Sequence, residues 1–85
     1  MTLTEPNIAA TAKVTTLDAR ALKCPMPIVK TAQAIKTIAS GELLEVLATD
    51  PGATADFAAW SRSTGNELVE QTIADGVYRF VLRRK

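Results

Sequence analysis

The hydrophobic spacing of this chain switches back and forth between the strand period and the helical period, and the order of the switches leaves few folds open. Val14 to Leu17 reads as a short β-rich strand, and Asp18 to Lys23 as the loop that follows it. From Pro25 to Ala39 the period is helical: Ile28, Ala32, Ile35 and Ala39 share one face with Ile38 alongside, while Lys30, Gln33 and Lys36 fall opposite. Ser40-Gly41 ends this helix, glycine accepting the left-handed conformation of a C-terminal cap. Glu42 to Thr49 alternates, with Leu44, Val46 and Ala48 on one face and Leu43, Glu45 and Leu47 on the other. Asp50-Pro51-Gly52 breaks the strand. A second helix from about Ala53 to Thr64 sets Ala53, Phe57 and Trp60 on one stripe as core, and Gly65-Asn66 closes it. Glu67 to Ile73 and Val77 to Arg83 flank Asp75-Gly76, a dipeptide suited to the positive φ of a tight hairpin, so the last two strands pair antiparallel.

The order βαβαββ predicts an α/β (α+β) fold. In the last strand Tyr78, Phe80 and Leu82 share one face and Arg79 and Arg83 the other, so one side of the sheet is wet and both helices must lie on its dry side. The expected architecture is a two-layer sandwich, a four-stranded mixed sheet with two helices on one face. A right-handed crossover through the first helix makes the first two strands parallel neighbours, which opens their C-terminal ends on one edge and brings Cys24 beside Asp50. Residues 1–12 lack a sustained period and read as a flexible leader; residues 13–85 form the single domain.

Several function classes drop out. With 85 residues the chain has one core, and a domain of this size buries only about 60% of its unfolded surface, so a large cofactor has no enclosed site. Ten Lys plus Arg against nine Asp plus Glu give a net charge of +1, too small a surplus for direct nucleic-acid binding. No stretch approaches the roughly 20 apolar residues of a membrane span, and the N-terminus lacks the pattern of a signal peptide, so a cytoplasmic location is expected. A lone cysteine forms no internal disulfide, and without histidine or a second thiol no metal site is expected.

What remains is Cys24 itself, within Lys23-Cys24-Pro25-Met26-Pro27. Prolines belong in a first helical turn, where their missing N–H has no intrahelical partner, and Pro25 and Pro27 fix the approach of the backbone. Pro27 disfavours helical angles at Met26, so the helix starts at Pro25 or at Pro27. Unpaired amides such as those of Ile28 and Val29, the helix dipole, Lys23 and Arg20 are expected to favour an anion here and to lower the thiol pKa. The same field suits a persulfide anion, and an exposed lip lets a second protein reach it. Buried free cysteine is the bland alternative.

In this order and spacing, Leu17-Asp18, then Cys24-Pro25-Met26-Pro27, then Asp50-Pro51 with Asp56, and finally the Asp-Gly hairpin, the chain resembles the TusA/SirA family of small sulfur-relay proteins over about residues 14–85. The resemblance implies that Cys24 of the CPxP motif accepts sulfur as a persulfide or thiosulfonate-type adduct, with no further cofactor, as a stoichiometric relay rather than a turnover enzyme. It implies a cysteine desulfurase or rhodanese as donor and a DsrE-like protein as acceptor, in sulfur oxidation, tRNA thiolation or molybdenum-cofactor formation. Pro25, Pro27 and Lys23 would shape the thiol's turn. Asp50 matches the family's acid, either orienting the loop or touching a partner, or simply forming a turn before proline. Asp56 reads as a first-turn acid favoured by the helix dipole rather than a chemical group. Met26 stands where the tRNA-thiolation member has an acid, Ala55 where it is basic, and Ser61 where some relatives carry a second cysteine. Two other readings are a noncatalytic RNA- or ribosome-associated binding module, disfavoured by charge and by the lack of spaced aromatics, and a thiol redox switch.

Overall fold

The computed structural model describes residues 13–85; the leader expected at 1–12 lies outside the described residues. Strand β1 (Val14–Ala19) leads to helix α1 (Met26–Ala34), which tightens into a 3₁₀ turn (Ile35–Thr37); then follow β2 (Leu43–Ala48), α2 (Ala53–Thr64), β3 (Glu67–Ala74) and β4 (Val77–Arg83). The sheet order is β1-β2-β4-β3, with β1 parallel to β2 and the other pairs antiparallel. This is the expected βαβαββ sandwich. Asp75 and Gly76 both have positive φ, 52° and 76°, as the β3–β4 hairpin requires. No helix among the described residues is long and apolar enough to cross a membrane.

The dry face of the sheet is made by Leu44, Val46 and Ala48 of β2 with Phe80 and Leu82 of β4, all fully buried, and Ala53 and Phe57 of α2 lie on it. The Phe57 and Phe80 rings stack at 4.4 Å between centroids. Trp60 is only half-buried, packing on the rim of the core. On the wet face Arg79 pairs with Glu45 and, at 2.7 Å, with Glu70, while Thr16 donates to Glu45 at 2.8 Å. These bonds lower the Glu45 pKa and raise that of Arg79. Val81 is buried all the same, because it lies between Glu45 on β2 and Glu70 on β3.

Helix α1 departs from its expected extent and face. It ends as an α-helix at Ala34 rather than Ala39, and its buried stripe is Pro27, Thr31 and Ile35, with Ile28 and Ala34 packed at its margin and Ala39 exposed. Gly41, with φ of +88°, therefore caps no helix; it sits in the turn before β2, where its N–H bonds the Arg84 carbonyl at 2.8 Å. Gly65 does terminate α2 in the left-handed conformation, φ +83°, with its N–H on the Ser61 carbonyl at 2.9 Å.

Thr31 is fully buried, and its hydroxyl has no hydrogen-bond partner among the described residues, unlike buried Asn66, whose side chain is bonded to Thr64 and Lys85. Thr31→Val keeps the shape and removes an unpaired hydroxyl, so it is expected to raise unfolding free energy by about 1 kcal/mol, read from the urea midpoint.

Candidate functional site

Parallel pairing sets the C-terminal ends of β1 and β2 side by side, with Ala19 opposite Ala48, so the loops that follow them share one edge of the sheet. After β1 the chain turns through Ala21, which takes φ of 69° although it carries a Cβ. Its N–H donates to Thr49 Oγ1 at 2.9 Å, tying this turn to the end of β2. A left-handed Ala costs about 1 kcal/mol relative to Gly in the same conformation. Ala21→Gly is therefore expected to stabilise the fold by about 0.5 kcal/mol after the extra freedom gained by the unfolded chain, measured by equilibrium unfolding.

The turn delivers Cys24 to the surface, where it is exposed. The Met26 N–H donates to the Lys23 carbonyl at 2.8 Å, which closes the turn, and the Cys24–Pro25 peptide is cis. Pro25 occupies the N-cap position of α1 and Pro27 lies buried in its first turn, so the helix starts at Met26, between the two expected starts. Lys23 is exposed. Met26 and Val29 of the first turns keep 39% and 38% of their surface exposed, leaving apolar side chains on the same edge.

The electrostatics reverse the expectation for the thiol. Cys24 Sγ donates a hydrogen bond to Asp56 Oδ2 at 3.0 Å, and the Sγ atom and one oxygen each of Asp50 and Asp56 all lie within 4.8 Å of one another. That bond, partial desolvation and the charges of Asp56 and Asp50 raise the thiol pKa above its ordinary value. One of the two expected cations, Arg20, and one of the two expected amides, that of Val29, are engaged elsewhere. Arg20 makes a two-pronged pair with Asp18, at 2.8 and 2.9 Å, which holds Asp18 down at about 2, and the Val29 N–H is bonded to the Pro25 carbonyl at 3.0 Å. Asp56, expected as a helix-dipole acid, is thus in contact with the sulfur, and Asp50 stands in the same group.

Asp50 also shapes its turn, its carbonyl accepting the Ala53 N–H at 3.0 Å as α2 begins. Ser61 is structural: its hydroxyl donates to the Asn66 carbonyl at 2.6 Å and accepts the Leu68 N–H at 3.1 Å, fastening α2 to β3. One thiol and two carboxylates fall short of the closed four-ligand set of a structural zinc site. An open cleft of about 510 Å³ lies elsewhere, between Ile35 and Trp60, and Cys24 is not on its wall.

A family model described as "Sulfurtransferase TusA" matches residues 15–84. The chain is 48% identical over 68 residues to the putative sulfur carrier protein YrkI of Bacillus subtilis (strain 168), covering 80% of this chain and 91% of the relative. It is 41% identical over 68 residues to the sulfur carrier protein TusA of Allochromatium vinosum, covering 80% and 90%. A crystal structure of a SirA-like protein from Desulfitobacterium hafniense superposes with a TM-score of 0.72 at 21% identity, over 82% of this chain and 95% of that one, and so shares the fold.

Proposed function

Because this chain belongs to the TusA sulfurtransferase family, we propose that it is a sulfur carrier whose Cys24 holds sulfur as a persulfide and yields it to a partner protein. The observation that carries this reading is the exposure of its only cysteine at the lip of a strand-to-helix turn. A relay sulfur has to be reached by two different proteins in succession, and a buried sulfur could not be.

The chemistry is two thiol exchanges. The Cys24 thiolate attacks the outer sulfur of a donor persulfide, the donor's S–S bond breaks, and the donor leaves as a thiolate that takes up a proton. Cys24 then carries one extra sulfur. An acceptor thiolate next attacks that terminal sulfur and the new S–S bond breaks, returning Cys24 to its thiolate, so the relay is stoichiometric and involves no net oxidation. A thiosulfonate-type adduct would occupy the same place. Pro25 and Pro27 hold the turn that presents the sulfur, and exposed Met26 and Val29 supply apolar surface for docking.

A cytoplasmic cysteine desulfurase or a rhodanese suits the donor role and a DsrE-like protein the acceptor role. Sulfur oxidation, tRNA thiolation and molybdenum-cofactor formation are the processes such a relay serves. Incubation with these donors and a sulfur source is expected to add the mass of one sulfur atom, removed by reductant. An unchanged mass with both donor types would overturn the proposal.

A further inference from the structure

Asp56 is placed where a helix-dipole acid has no need to be. It lies in the first turn of α2, with its N–H on the Gly52 carbonyl at 3.2 Å, yet its carboxylate is half-buried and turned onto a sulfur atom 32 positions earlier in the chain. The charged groups around that sulfur come from three segments. From α2 comes Asp56, in contact at 3.0 Å; from the β2–α2 turn comes Asp50, within 4.8 Å; from the thiol's own loop come Lys23, which is exposed, and Arg20, which is paired with Asp18. The first turn of α1 brings no acid of its own.

We propose that Asp56 restrains the nucleophile of the carrier: by accepting the Cys24 hydrogen bond it holds the proton on the exposed sulfur of the free protein, and the thiol is released when this carboxylate is neutralised. The inference rests on the reading of Cys24 as the sulfur-bearing group and adds the residue that sets when Cys24 reacts. Its chemical logic follows from exposure. With one cysteine in the chain, an oxidised Cys24 has no second thiol to resolve it. Oxidants and soluble electrophiles react with the thiolate, so a proton kept on Sγ slows them, while a partner that brings a cation or a hydrogen-bond donor to Asp56 frees the same sulfur at the moment of exchange. On release the proton passes from Sγ to solvent. The thiolate then attacks the donor's outer sulfur as described above, with no redox change.

Alkylation by iodoacetamide tests this on the whole chain, since every adduct followed by mass spectrometry is at Cys24. Asp56→Asn is expected to move the midpoint of the pH–rate profile down by about one unit and to raise the rate at neutral pH about tenfold. Asp56→Ser, uncharged and smaller, moves the same way, and Glu67→Gln, at the opposite end of the sheet, leaves the profile where it was. If both Asp56 variants alkylate no faster than the parent protein, the proposal fails; slower alkylation would mean that the carboxylate assists the thiol instead. The parent protein gives a further reading that needs no variant: a midpoint at or below that of an unstructured peptide containing the same cysteine also overturns it. No sulfur donor enters the assay, so a failure of the carrier reading and a failure of this one are told apart.

Discussion

Cys24→Ser takes up no sulfur from any donor that loads the parent protein, and its mass after incubation is that of the untreated variant. A serine hydroxyl projects from the same Cβ on a slightly shorter bond and is also a hydrogen-bond donor that can face Asp56, so the site loses its chemistry with little change in geometry. An alcohol does not ionise near neutral pH and forms no stable analogue of a persulfide. The position is exposed, so stability should change by no more than about 0.5 kcal/mol. Loss of loading with an unchanged unfolding midpoint separates chemistry from folding. Sulfur retained on Cys24→Ser would place the carrier function on another residue.

The second large effect lies in the core. Phe57→Ala removes a fully buried ring stacked on Phe80 where α2 meets the centre of the sheet. A Phe-to-Ala cavity costs about 3–5 kcal/mol, and domains of this class hold only about 5–15 kcal/mol in all, so much of the fold's margin is spent. For a domain this short the thermal midpoint should fall by more than about 12 °C, measured by circular dichroism. Asp56 stands one residue before Phe57, so the variant should also speed alkylation of Cys24 by loosening the helix that carries the acceptor. A drop of only a few degrees would show that the surrounding side chains collapse into the space.

The last three strands and α2 were legible because their periods are clean and their stops explicit: Gly65 ends α2 and Asp75-Gly76 makes the hairpin, as the residues require. Strand β1, by contrast, runs on through Asp18 and Ala19, expected as loop, because both residues pair with β2. The parallel β1–β2 pair, and with it the meeting of Cys24 and Asp50, followed from topology alone. In α1 the periodic pattern was extended too far, since Ile38 and Ala39 fit a helical stripe although the chain is extended at Ile38. Thr31 was passed over because a polar residue scores against a core face. The turn at Ala21 gave no signal, its left-handed residue not being glycine. Asp56 was misread for a physical reason: an acid in a first turn is explained by its own helix, and only tertiary packing shows that it faces a sulfur from the preceding βα unit. The same packing inverted the expected acidity of Cys24, whose local sequence supplies cations and a helix start while its neighbours in space are carboxylates.

The contact between Cys24 and Asp56 joins two crossovers that are otherwise separate stretches of chain. It makes the lone sulfhydryl a native gauge of how firmly α2 is seated. Each transient unseating of that helix parts the pair, so labelling kinetics under native conditions record breathing of the second crossover with no probe added to the protein.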